Sequence, residues 1–164
     1  MYKEPHIIKT RQVLRMGLLY NRNEKEIYRG FVLNDALQAC ERVRAIIHCI
    51  ENAVTLNSDQ SFDIRVILSE LVQNAIKHGS INNNPQRVFM KVCLRDQDNL
   101  VITIRDQGCG FNAAQALQEE QNRIINETSE LMEYGRGLHI VRNLCDDIVF
   151  NRRGNCITVR KKLQ

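Results

Sequence analysis

Three short stretches carry residue types that could do chemistry. The first places Glu70, Asn74 and His78 at steps of four, the spacing that lines side chains up along one stripe of a helix. A carboxylate can accept a proton, and a carboxamide oxygen can hold a hard cation. Both are costly to bury without partners. Taken alone, that stripe reads as a solvated helix edge. The second stretch is Asp106-Gln107-Gly108-Cys109-Gly110, an acid followed by two glycines at the end of an apolar run. The third is Gly135-Arg136-Gly137-Leu138, a glycine pair ahead of another amphipathic run. Glycine lets backbone come close to a ligand, and a helix N-terminus favours phosphate.

Elements with recognisable periods must position these residues. From Ser61 to Gly79, Ile64, Ile67, Leu68, Leu71 and Ala75 recur at three- and four-residue steps, which predicts a helix. Asp59 or Ser61 is its expected N-cap and Gly79 its stop. Ahead of it, residues 27–33 read as a strand. A second helix is predicted from a cap at Asn34 or Asp35 to Val54, with Val43, Ile46, Ile47 and Ile50 facing the core. His48, among those isoleucines, is expected to pack in the core. Residues 88–94 and 101–106 predict strands joined by a turn at 96–99. Residues 112–133 are polar and weakly periodic, either a lid over the site or a mobile loop. A helix over 137–146 and a hairpin of 148–150 with 156–159 close the chain.

Hairpins and helices that come in blocks predict an α+β fold, a mixed, mostly antiparallel sheet with helices on one face. The domain is expected over residues 27–164. Residues 1–26 are expected to be a short strand or an N-terminal arm of unknown role, packing on the domain or on a second subunit, which leaves a homodimer open. The chain has 164 residues, with 43% apolar and 26% charged, ordinary values for one soluble globular domain. It has no apolar run of membrane length and no signal-peptide core behind Met1, so a cytoplasmic protein with no membrane partner is expected. The net charge of +4 comes without Trp and without a dense basic stripe, which argues against nucleic acid as a partner. Six cysteines without a C-x-x-C pair predict buried free thiols, except Cys109 between its loop glycines.

In this order the three stretches resemble the N box and two glycine boxes of the GHKL ATP-binding superfamily. Glu70-x-x-x-Asn74-Ala75-x-x-His78 is most similar to the anti-sigma-factor serine/threonine kinases. The resemblance covers residues 27 to 162. It implies the superfamily's two-layer α/β sandwich (the Bergerat-type fold), with ATP and Mg²⁺ as cofactors. It also implies a role for each residue. Asn74 would hold the metal, Asp106 would accept a hydrogen bond from the adenine amine, and Gly108 and Gly110 would approach base and ribose. Gly135 and Gly137 would bring N–H groups to the phosphates, with the helix from Leu138 behind them. Glu70 would be the catalytic base and His78 auxiliary. Arg136 is equally a phosphate contact or a solvated arginine. Alone, Asp106 is equally a turn-initiating Asp, and the glycines are loop and cap residues.

The implied activity is phosphorylation of a small antagonist protein and sequestration of a sigma factor or other transcription regulator. Two alternatives stand beside it, a non-catalytic ATP-binding partner-switch module and a histidine-kinase-type catalytic domain. Gly108-Cys109-Gly110-Phe111-Asn112-Ala113 also fits the dinucleotide fingerprint G-x-G-x-x-A. The polar segment after it and the charge of Asp106 argue against that reading. There is no G-x-x-x-x-G-K-S/T phosphate loop.

Overall fold

The computed structural model describes residues 23–33, 36–79, 87–110 and 133–163. Its frame is set by alternation in two strands, β2 (Arg87–Arg95) and β3 (Asn99–Arg105). Their register sets Met90 opposite Ile104, Val92 opposite Ile102 and Leu94 opposite Leu100. Directly opposed residues share a face, so these six make one apolar surface, and all are buried. The turn between the strands takes Asp96 and Gln97 into the left-handed region, at φ 50° and 69°. It is closed by the Asp98 N–H donating to the Arg95 carbonyl at 3.3 Å.

The remaining strands are β1 (Glu24–Leu33), β4 (Asp147–Phe150) and β5 (Cys156–Lys162), giving the order β1-β2-β3-β5-β4. Every pairing among the described residues is antiparallel, in keeping with the mostly antiparallel sheet expected. β1 starts at Glu24, ahead of the predicted Ile27. The Glu24 carboxylate accepts hydrogen bonds from Lys91 and from Arg95, the latter at 2.9 Å, which ties the strand end to β2.

Helix α1 (Ala36–Ala53) and helix α2 (Ser58–Gly79) cover one face of the sheet. Ala39, Val43, Ile46, Ile47 and Ile50 of α1 meet Ile64, Ile67, Leu68, Leu71, Val72 and Ala75 of α2 in one core. Burying an Ile or Leu side chain stabilises by about 1.5–3 kcal/mol. His48 lies outside this stripe and is exposed, because its isoleucine neighbours take the inward positions. The same geometry corrects the cysteines. All six are free, but only Cys93 is buried. Cys40 and Cys49 lie on the outer side of α1, Cys109 is exposed, and Cys145 and Cys156 are half-buried.

The cap of α2 is Asn57, not Asp59 or Ser61. Its Oδ1 accepts from the Gln60 N–H at 2.8 Å, and Gln60 Oε1 accepts from the Asn57 N–H at 3.0 Å. This reciprocal pair is a capping box with Asn and Gln in its two places. The last helix, α3 (Glu133–Leu144), begins and ends earlier than predicted. Lys161 of β5 holds the helix layer together. Its ammonium donates to Asp63 of α2 and to the Leu144 carbonyl at the end of α3, both at 2.9 Å. A cation at a helix C-terminus complements the unpaired carbonyls there.

Candidate functional site

α2 and α3 meet where the polar stripe predicted on α2 leaves the core. Glu70 and Asn74 are both half-buried, one helical turn apart. Gly137 of α3 lies against them. A Cβ at Gly137 would collide with Glu70 Oε2 and come within 3.4 Å of Asn74 Nδ2. Where the two helices approach, any larger residue at 137 would push the end of the Glu70 side chain aside. A carboxylate and a carboxamide stand there side by side, facing the opening turns of a helix. Oxygen donors in a half-buried pair are the type that Mg²⁺ accepts.

The structure refines the second glycine stretch. α3 opens at Glu133, so Gly137 lies a full turn inside it, where an α-helix commits the N–H to its own ladder. Gly135 lies in the first turn, where N–H groups have no intrahelical partner. Arg136 is exposed and Leu138 half-buried. His78 lies in the last turn of α2, and its side chain falls outside the described residues. So do residues 112–132, which include most of the predicted lid or loop, and the arm up to residue 22.

The Asp106 loop follows β3 and is built by hydrogen bonds. Asp106 Oδ1 accepts from the Gly108 N–H at 2.7 Å, the local turn that an Asp favours. The Asp106 N–H donates to the Asn155 carbonyl at 3.0 Å. Asn155 Nδ2 donates back to the Asp106 carbonyl at 3.2 Å. Gly110 has φ 78°, and a Cβ there would collide with the Arg153 carbonyl. Here glycine is required twice, for its backbone conformation and for the space.

Asn155 and Asn151 are absent from the residues singled out by sequence. Asn151 Oδ1 accepts from the N–H groups of Asn155 and Cys156, each at 3.1 Å, and its Nδ2 donates to Asn155 Oδ1 at 2.8 Å. The composition Asn-Arg-Arg-Gly-Asn signals a hairpin turn. That the turn grips a loop some fifty residues earlier is not visible in it. Among the described residues no group of three or more His, Cys, Asp or Glu side chains is placed to hold a metal ion. No described helix is long and apolar enough to cross a membrane.

The family model of the histidine kinase-like ATPase domain matches residues 33–161. Among curated proteins, the chain is 32% identical over 108 residues to the anti-sigma F factor of Bacillus velezensis, covering 64% of this chain and 71% of that protein. It is 36% identical over 90 residues to the anti-sigma F factor of Bacillus licheniformis, and 34% identical over 90 residues to that of Bacillus subtilis. Each of these two matches covers 55% of this chain and 59% of the relative. The matched region takes in all three glycine- and acid-bearing stretches, the α2–α3 contact and the loop held by Asn155. Layered helices on an antiparallel sheet, the ordered boxes and the family match agree, and the chain belongs to the histidine kinase-like ATPase domain family.

Proposed function

We propose that the protein is an ATP- and Mg²⁺-dependent serine/threonine kinase of the cytoplasm, acting as an anti-sigma factor. In this reading it phosphorylates a small antagonist protein and sequesters a sigma factor when the antagonist is absent. The observation that carries it is the approach of Glu70 and Asn74 to Gly137, a carboxylate and a carboxamide on one helix facing another. The relatives named anti-sigma F factor support the choice of partner.

Phosphoryl transfer depends mainly on positioning and on neutralising charge. Bound ATP supplies the phosphoryl group. Asp106 accepts from the exocyclic amine of adenine, which selects adenine over guanine by donor pattern. Gly108 leaves room for base and ribose, and Gly110 lets the loop turn against Arg153 beside them. The Asn74 carboxamide oxygen would hold Mg²⁺, which would neutralise charge on the phosphates. Gly135, in the first turn of α3, offers its N–H to the phosphates, and the dipole of the helix running on through Gly137 and Leu138 adds to the attraction. Glu70 would accept the proton of the incoming hydroxyl as that oxygen bonds to the γ-phosphorus and the bond to the bridging oxygen breaks, releasing ADP. His78 is auxiliary, at the end of the same stripe.

The test is Asn74→Ala, titrated calorimetrically with ATP and with ADP, each in the presence and absence of Mg²⁺. The metal-dependent part of the ATP affinity is expected to vanish, while metal-free ADP affinity stays within about 3-fold, since the carboxamide meets the ion and not the base. Equal losses with and without Mg²⁺ would make Asn74 a structural residue and remove the metal site.

A further inference from the structure

We propose that Asn155 is the positioning residue that sets adenine selectivity by clamping Asp106. The proposal rests on the nucleotide reading above and adds to it a residue in another element, the β4–β5 turn. Asn155 grips the backbone of Asp106 at two points. Its carbonyl accepts from the Asp106 N–H at 3.0 Å, and its Nδ2 donates to the Asp106 carbonyl at 3.2 Å.

The orientation of that amide follows from the network. Asn151 Oδ1 already accepts two backbone N–H groups, so its Nδ2 is the donor toward Asn155. Asn155 must then turn Oδ1 toward Asn151, at 2.8 Å, and Nδ2 toward Asp106. The Asp106 carbonyl can only accept, so no other assignment satisfies every group. With the main chain fixed on both sides, the Asp106 side chain has one oxygen tied to the Gly108 N–H at 2.7 Å. Backbone and carboxylate are thus set before any base arrives. An acceptor fixed in advance discriminates better than one that must be ordered on binding.

A residue that merely closes its hairpin would leave discrimination unchanged, which makes the two roles separable. The full chain is measured as wild type, Asn155→Ser, Asp106→Asn and the double variant. ATP is compared by calorimetry with purine riboside triphosphate, which lacks the exocyclic amine. Asn155→Ser keeps the backbone bond but loses the side-chain one. It is expected to lower ATP affinity up to about 10-fold, the upper end of the effect of losing one hydrogen bond. Affinity for purine riboside triphosphate stays the same, and the variant adds nothing in the Asp106→Asn background. Amide exchange at Gly108 rises about 10-fold in the absence of nucleotide. Transfer at saturating ATP keeps the wild-type kcat while KM rises.

Parallel loss for both nucleotides, additivity with Asp106→Asn, or unchanged exchange at Gly108 would overturn the clamp. If Asn155→Ser does not fold, Asn155→Asp has the same shape with the donor replaced by an acceptor and faces the same criteria. If the wild type binds no ATP, the nucleotide reading fails, and Gly108 exchange still decides whether Asn155 holds the loop.

Discussion

Around Asp106 the backbone does the holding, and around Glu70 it is the packing of two helices. The Asp106 loop is fixed by bonds to Asn155 and Gly108 and by a glycine pressed on the Arg153 carbonyl. Glu70 and Asn74 stand on a long helix whose inner face is core, and α3 comes against them at Gly137, where a side chain would press on the end of Glu70. The first arrangement suits a flat base whose donors must be matched in direction. The second sets a carboxylate and a carboxamide side by side against a helix, as phosphates and a metal would require, and there small displacements matter. A change in one region should therefore alter affinity for adenine, and a change in the other should alter phosphate chemistry.

The largest expected effect on nucleotide affinity is at Gly110. Gly110→Ala meets both a positive φ and the main-chain oxygen of Arg153, and neither can yield cheaply. Backbone strain of this kind costs about 1–3 kcal/mol, with the collision in addition. ATP affinity is expected to fall about 100-fold or more by calorimetry. An affinity within 3-fold of wild type would show that the loop is not the base site.

Gly137→Ala should act differently. The obstacle is the far end of the Glu70 side chain, which can move aside, and alanine favours the helix by about 0.8–1 kcal/mol. Thermal stability is therefore expected to stay level or rise slightly. Phosphotransfer is expected to drop about 10-fold, because small misplacement of a reacting group is costly. ATP affinity should change little. Loss of adenine binding with normal transfer would dissolve the contrast between the two regions.

The smallest effect comes from outside both regions. Burial alone would raise the Glu24 carboxyl, but hydrogen bonds from Cys93, Lys91 and Arg95 outweigh it and hold it down at about 2, against an ordinary 4.5. A depressed carboxyl stabilises fully above its unfolded value. That contribution is lost as pH falls from about 4.5 toward about 2. After allowance for solvent screening it is worth about 2 kcal/mol. Denaturant midpoints should fall across this range in the wild type and less steeply in Glu24→Gln, with neutral-pH ATP affinity the same in both. An equally steep fall in the variant would place the acid sensitivity elsewhere.

The legibility of the sequence follows the same division. The Glu70 helix was readable because its apolar stripe has a helical period, and all five predicted core positions are buried. The antiparallel hairpins were readable from alternation and turn residues. The caps and cysteines were less so. Asn57 and Gln60 form a capping box in less familiar residue types, and Cys40 and Cys49 lie in an apolar run on the outward side of their helix. Asn155 was not readable at all, because its role depends on a partner distant in sequence that only the sheet brings close. For Gly137, type and position pointed to a phosphate, whereas its contact with Glu70 exists only once α2 and α3 are packed.

The central claim is that Glu70 accepts a proton during transfer. Glu70→Gln keeps the size of the side chain and removes that capacity. The measurement is transfer of radiolabelled phosphate from ATP to the antagonist protein, run beside nucleotide titration of the same variant. A positioned base contributes about 10²–10⁴-fold in rate. Transfer is predicted to fall within that range while ATP affinity stays within about 2-fold. Transfer by the Gln variant at the wild-type rate, or no transfer by the wild type to its antagonist, would contradict the assignment.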